Sequence, residues 1–157
     1  MIALIACINK NRGLGFQNQL LYKLPEDMKF FRETTKNSVV IMGKNTFLSI
    51  GRPLPNRTNV IITRDKNFLA EGCVIKHNLD DAFDVEAITG RPIFVIGGAQ
   101  IYEQTIQKAD TLYLTIVDDD TKPADAFFPN YDEFKHLELI TQGVSQGYHY
   151  QILKFTK

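Results

Sequence analysis

Six short runs along the chain are apolar nearly throughout: IALIACI (2–8), VVIM (39–42), NVIIT (59–63), PIFVIG (92–97), TLYLTIV (111–117) and YHYQILKF (148–155). Their lengths and their β-branched and aromatic content predict strands. Several do not alternate with polar residues, so these strands are expected to be covered on both faces, as in an α/β sheet. Between the runs, polar positions return at helical spacing in PEDMKFFRETT (25–35), KNTFLSI (44–50), NLDDAFDVEAI (78–88) and AQIYEQTIQKA (99–109). The strand–helix–strand alternation predicts mostly parallel pairing over 1–117. Past 117 no helix is expected. Strands near 137–141 and 148–155, around QGVSQG, predict a C-terminal antiparallel hairpin. No repeat, low-complexity tract or linker breaks the pattern, so 1–157 is read as one domain.

Two stretches stay outside this pattern, NKNRGLGFQNQLLYK (9–23) and DDDTKPADAFFPN (118–130). Both are expected to be irregular, and loops of this length in a compact domain often serve function. The first leads straight into the helix expected at 25–35. Pro25 suits the first turn of that helix, where a missing N–H costs nothing. At 100° per residue, Leu24, Met28, Phe31 and Thr35 fall in one stripe, and Glu26, Lys29, Arg32 and Glu33 on the opposite face. Asp27 sits apart from the other charges, on the flank of the apolar stripe between Phe30 and Phe31. One reading is an acid placed for the helix dipole, which accounts well for Glu26. The other is a partly desolvated carboxylate whose partner is a ligand's N–H groups, such as those of a planar heterocycle stacked near Phe31. The residues alone leave the two level.

Composition removes several classes. Lys plus Arg is 18 and Asp plus Glu is 18, so no net field points to nucleic acid or to an anionic membrane. Cys7 and Cys73 are too few for a disulfide framework, and Cys7 reads as a small buried hydrophobe. The opening MIALIACINK imitates a lipoprotein cleavage box but lacks its basic start and long apolar region. No run approaches the roughly 20 residues of a membrane span. His77, His136 and His149 share no ligand spacing with the cysteines, and no nucleophile–base arrangement is evident.

Two further motifs suggest chemistry. In PIFVIGGAQIY (92–102) a strand ends in Gly97 and Gly98 and a helix opens. Such a turn lets a ligand approach the backbone, and the helix N-terminus attracts phosphate; a plain strand-to-helix turn explains the pair equally well. In IMGKNTFLSIGRPLPNRTNVIITRD (41–65), Gly43 ends a strand, Lys44 and Thr46 begin a helix, and Thr63 and Arg64 end the next strand. If those strands are parallel neighbours, two cations and two hydroxyls meet at one sheet edge. That set suits a phosphate monoester, although solvated surface cations would show the same pattern. Arg52 and Arg57 flank a stiff Pro-rich turn where a fixed arginine could meet a carboxylate.

Together the motifs ALIA (3–6), LPEDMKFF (24–31), VIMGKNTF (40–47), SIGRPLPNR (49–57) and FVIGGAQIY (94–102) stand in a familiar order. In this the chain resembles bacterial dihydrofolate reductase, of chromosomal or mobile-element type, over essentially its full length. The resemblance implies a mixed, mostly parallel sheet of about eight strands flanked by helices. It implies hydride transfer from NADPH to C6 of 7,8-dihydrofolate, with a proton added at N5. Asp27 matches the family's catalytic acid, holding the pterin 2-amino group and N3, with Thr115 in support. Ile5, Ala6, Phe31, Ile50, Leu54 and Ile96 would line the substrate pocket, beside Arg52, and Arg57 would grip the glutamate carboxylate. Lys44, Thr46, Thr63 and Arg64 would contact the adenosine and its 2′-phosphate, with Gly43 and Asn45 beside them. Gly97, Gly98, Ala99, Gln100 and Ile101 would cradle the diphosphate across a cis Gly–Gly peptide, with Ala6, Ile96 and Tyr102 near the nicotinamide. Residues 9–23, with Leu14, Gly15 and Asn18, would form a mobile loop closing over the nicotinamide, with Leu20 near its tip and 118–130 as its partner.

Some positions depart from the family pattern. Tyr22 stands where tryptophan is usual and would help organise a water near the pterin. Leu21 replaces a proline, Ala99 a third glycine, and Ala124 lies where some relatives have glycine. The expectation is a cytoplasmic, monomeric enzyme binding dihydrofolate and antifolates such as trimethoprim or methotrexate, with no nucleic-acid, membrane or metal partner. The alternatives are a same-fold NADPH reductase of another heterocycle and a non-catalytic nucleotide-binding module.

Overall fold

The structure, a computed structural model, describes the backbone of residues 1–157 and all side chains but those of 86–88. In chain order the strands are β1 (Ile2–Asn9), β2 (Gly13–Phe16), β3 (Gln19–Leu20), β4 (Val39–Gly43), β5 (Thr58–Ile62), β6 (Cys73–Lys76), β7 (Ile93–Gly97), β8 (Thr111–Val117), β9 (Ala126–Phe127), β10 (His136–Ser145) and β11 (Tyr148–Thr156). The helices are α1 (Pro25–Thr35), α2 (Lys44–Ile50), α3 (Leu79–Thr89) and α4 (Ala99–Thr105), the last followed by a 3₁₀ turn at Ile106–Lys108.

Eight strands make one mixed sheet in the order β10-β11-β8-β1-β7-β4-β5-β6. Pairing is parallel from β8 through β1, β7, β4 and β5 to β6. It is antiparallel from β8 to β11 and from β11 to β10. Both faces of the central strands are covered. Successive side chains point to opposite faces. Leu4, Val39, Ile41 and Val95 therefore join one core with Tyr102 and Phe128. Ala3, Ile5, Val40, Met42 and Phe94 join another with Phe30, Phe31 and Phe47. That double burial is why the runs lack alternation.

Four expectations need correction. The stretches 9–23 and 118–130 are not wholly irregular: they supply a second, antiparallel sheet in the order β3-β2-β9. Its hairpin turns at Gln17 and Asn18, both at positive φ (51° and 62°), the geometry that matches the strand twist. Gly15 is obligatory there, since a Cβ on it would lie 2.7 Å from the Gln19 carbonyl oxygen. Second, a strand over 73–76 was not foreseen; CVIK is short and half-buried at the sheet's edge. Third, the stretch 99–109 is a seven-residue helix and a 3₁₀ turn, and β10 runs well past 141 so that only Gln146 and Gly147 turn the hairpin.

Fourth, α1 is rotated from its expected stripe. Phe30 packs against Tyr113, with ring centroids 6.1 Å apart. Leu24 and Thr35 are buried as expected, but Met28 is 49% exposed. Asp27 lies one turn before Phe30 and Phe31, so the same rotation brings it inward.

β10 forms one edge of the large sheet, where Leu137, Leu139, Ile140 and Val144 are exposed. Its ladder to β11 shifts register between Leu139 and Thr141. The described residues contain no helix long and apolar enough to cross a membrane.

Candidate active site

In sheets of this kind ligands gather beyond the carboxyl ends of the parallel strands. The predicted residues do so here. Gly43 ends β4 and Lys44 follows it, Thr63 and Arg64 follow β5, Gly97 ends β7 and Gly98 follows it, and the segment after β1 leads to Asp27.

The Asp27 carboxylate accepts a hydrogen bond from Thr115 Oγ1 at 2.5 Å. Thr115 is buried in β8, a central strand, so it fixes the acid against a rigid support. Cys7 on β1 is the register partner of Thr115. Burial raises the pKa of Asp27, and the hydrogen bonds from Thr115 and Cys7 oppose that rise. The acid thus has neutral donors where a buried structural carboxylate would pair with a cation.

Around it, Ile5, Phe31, Leu54 and Ile96 pack in one apolar cluster. Ala6 faces the other core, and Ile50 is exposed at the end of α2. Arg57 is held in place: its Nε donates to the Pro55 carbonyl at 2.9 Å and its Nη1 to Thr35 Oγ1 at 3.0 Å. Asn59 braces the same loop through both the N–H and the carbonyl of Leu54. Burial lowers the Arg57 pKa, and the charge of Arg32 lowers it further. Two cations therefore stand close together, ready for a carboxylate. Sequence reasoning missed Arg32, which the helical wheel assigned to solvent. Arg52 is exposed on the same loop.

At the other end, the peptide between Gly97 and Gly98 is cis, as the resemblance implied. Gly97 has φ +127°, a backbone that side chains rarely adopt. Cβ atoms on Gly97 and Gly98 would each lie 3.5 Å from Thr46 Oγ1, so the two glycines and Thr46 border one cradle. Both α2 and α4 start from glycine caps with no side-chain hydrogen bond, Gly43 and Gly98, on neighbouring strands. Their amides suit the oxygens of a diphosphate, and Ala99 takes up helical backbone without strain. Asn45, Gln100 and Ile101 lie in the first turns of these helices. Lys44 and Arg64 do lie at one edge, and Lys44 Nζ meets Asp65 Oδ2 at 3.0 Å while lying over the Phe68 ring. This chemistry fits a dinucleotide with a phosphorylated ribose. Tyr102 is buried beside Gly97, and its hydroxyl donates to the Ile5 carbonyl at 2.6 Å.

Tyr22, expected to help organise a water near the pterin, is buried against the second long loop. Its hydroxyl donates to Asp119 Oδ2 at 2.5 Å, not to Asp27. Lys122 lies over the Tyr22 and Tyr148 rings and donates to the Leu21 carbonyl. Tyr22 therefore ties the two long loops together, because three successive acids at 118–120 offer it a nearer acceptor. Leu20, on β3, is 61% exposed, while Leu14 and Gly15 are buried beneath it and Asn18 caps the hairpin.

Comparison with known proteins gives one consistent answer. The family model described as dihydrofolate reductase matches residues 1–157. The dihydrofolate reductase of Bacillus subtilis is 36% identical over 162 residues, spanning 100% of this chain and 95% of the relative. That of Staphylococcus aureus is 35% identical over 130 residues, spanning 83% and 79%. Among solved structures, dihydrofolate reductase from Enterococcus faecalis complexed with NADP(H) and RAB-propyl superposes with a TM-score of 0.85. It is 30% identical, with 99% of this chain and 95% of that one covered.

Proposed function

This chain belongs to the dihydrofolate reductase family, and we propose that Asp27 and the glycine turn at Gly97–Gly98 mark the two halves of its active site. It is an NADPH-dependent oxidoreductase that converts 7,8-dihydrofolate to 5,6,7,8-tetrahydrofolate. NADPH, when bound, supplies the hydride.

The observation that carries the site assignment is the inward carboxylate with neutral donors. Asp27 holds the 2-amino group and N3 of the pterin, satisfying a desolvated acid with two N–H groups. Its negative charge favours a proton at N5, and water is the immediate donor. Thr115 keeps the carboxylate in place, so orientation and electrostatics supply most of the acceleration. Ile5, Ala6, Phe31, Ile50, Leu54 and Ile96 exclude water from the ring and the aminobenzoyl group. Arg57, with Arg32 beside it, receives the glutamate carboxylate. Thr46, Gly97, Gly98, Ala99 and Gln100 hold the diphosphate, and Lys44, Thr63 and Arg64 hold the 2′-phosphate. Tyr22 acts by joining the loops, with Leu20 as the exposed edge of the closing hairpin.

Residues 1–157 work as one domain, a reading supported by the eight-stranded sheet that runs from β1 to the C-terminal β11. A cytoplasmic monomer without nucleic-acid partners fits the balanced charge. Antifolates that carry the pterin's donor pattern compete at Asp27. The test is loss of NADPH absorbance with dihydrofolate, for the wild type and Asp27→Asn, with NADH as a control. Turnover that needs Asp27 and prefers NADPH is expected; wild-type rates in Asp27→Asn would remove Asp27 from this role.

A further inference from the structure

Cys7 on β1 and Thr115 on β8 are register partners in a parallel ladder. Partners at one register point to the same face of a sheet, with about 4.8 Å between their strands. Thr115 Oγ1 reaches Asp27 at 2.5 Å from that position, and Cys7 stands next to it with the same outlook. The thiol packs among Leu21, Tyr22 and Leu24, at the base of α1.

Resting on the assignment of Asp27 as the acid, we infer that Cys7 is a positioning residue for the reduction: its S–H donates to the Asp27 carboxylate and, with the Thr115 hydroxyl, fixes that carboxylate toward the substrate. The other groups near the acid are engaged elsewhere. Tyr102, from α4, donates its hydroxyl to the Ile5 carbonyl. Glu26, the neighbouring acid on α1, receives a hydrogen bond from Ser145. Burial and the adjacent carboxylate push the Cys7 thiol well above its ordinary range. It therefore keeps its proton at neutral pH, when a thiolate would repel Asp27 and react with electrophiles. Two donors on one carboxylate leave its remaining acceptor positions to the pterin.

The test compares Cys7→Ala and Cys7→Ser with the wild type. Carbon-13 NMR of the labelled carboxyl, assigned through Asp27→Asn, reads the Asp27 titration in the ligand-free protein. Single-turnover rates across pH read the same group during hydride transfer. Loss of a donor to the ionised form raises a carboxyl pKa. Cys7→Ala should move the midpoint up by about half a pH unit, a threefold change in ionisation constant. Cys7→Ser, which restores a stronger donor, should return it to the wild-type value or below. An unchanged midpoint in Cys7→Ala, or the same upward shift in both variants, would overturn the assignment. A purely packing role predicts altered thermal stability without movement of the midpoint. Because the NMR titration needs no turnover, it stands apart from the question of whether Asp27 is the catalytic acid.

Discussion

The two ends of the site hold their charges in opposite ways. Asp27 lies among apolar side chains with neutral donors, and burial raises its pKa. Lys44 and Arg64 stand at the surface, where Lys44 pairs with Asp65 at side-chain exposures of 34% and 42%. A buried charge is unfavourable until a partner arrives, so it responds strongly to the substrate and weakly to salt. An exposed charge keeps its water and is screened, so it serves discrimination between similar ligands more than catalysis. On the reading proposed above, the contrast puts chemistry at one end and cofactor choice at the other.

The largest test of that division is Asp27→Asn. Removing an electrostatic group aimed at developing charge should lower kcat/KM at neutral pH by about 10² to 10³. NADPH affinity, measured by fluorescence titration, should stay near the wild-type value. A drop in both would mean that the two ends are not separable. Next, Arg57→Ala should raise KM for dihydrofolate by about 10- to 100-fold, from loss of a charge-assisted contact of about 1.5–3 kcal/mol. A pterin lacking the glutamate tail should lose nothing; equal losses for both substrates would place Arg57 outside the carboxylate site.

A smaller effect is expected at the exposed end. Lys44→Ala combined with Arg64→Ala should weaken NADPH by about tenfold more than NADH, and added salt should erode the wild-type preference in the same sense. A preference unmoved by salt would show that these cations are not the phosphate contacts. The smallest effect concerns stability. The folded-state pKa of Asp27 lies above its ordinary 3.8, so the folded chain holds that proton more tightly than the unfolded one. The resulting stability is complete below about pH 3.8 and is lost as pH rises through the folded value. Asparagine suffers no such loss. Asp27→Asn should therefore melt above the wild type at pH 7 and level with it in acid, by calorimetry. An equal Tm at both pH values would argue that the carboxylate is well solvated.

The parts of the molecule that could be read from sequence are those with one strong determinant. β1, β4, β5, β7 and β8 carry short apolar runs buried in the sheet, a pattern that the helices do not give. Asp27 stood out because it was out of phase with its own helix. β2, β3 and β9 were hidden because they are two to four residues long and their hairpin turns without a glycine at Gln17 and Asn18. Arg32 was hidden because the helical wheel put it with the solvent-facing charges, while its influence on Arg57 depends on how α1 packs beside the 51–57 loop. Cys7 looked like any small apolar residue, since its relation to Asp27 depends on strand register, which spans 108 residues of chain between Cys7 and Thr115. The bond from Tyr22 to Asp119 was hidden because the two residues lie 97 positions apart.

The two borders of the large sheet bear on how the protein behaves when crowded. An open border offers unpaired N–H and C=O groups on which a further chain can add, the route to ordered aggregates. β6 limits this by being only four residues long. β10 is ten residues long and carries exposed Leu137, Leu139, Ile140 and Val144, the composition most prone to such growth. Its bulge between Leu139 and Thr141 displaces the ladder in the middle of that stretch. An incoming strand matched to one half is out of step with the other, and a growing stack of copies loses its template there.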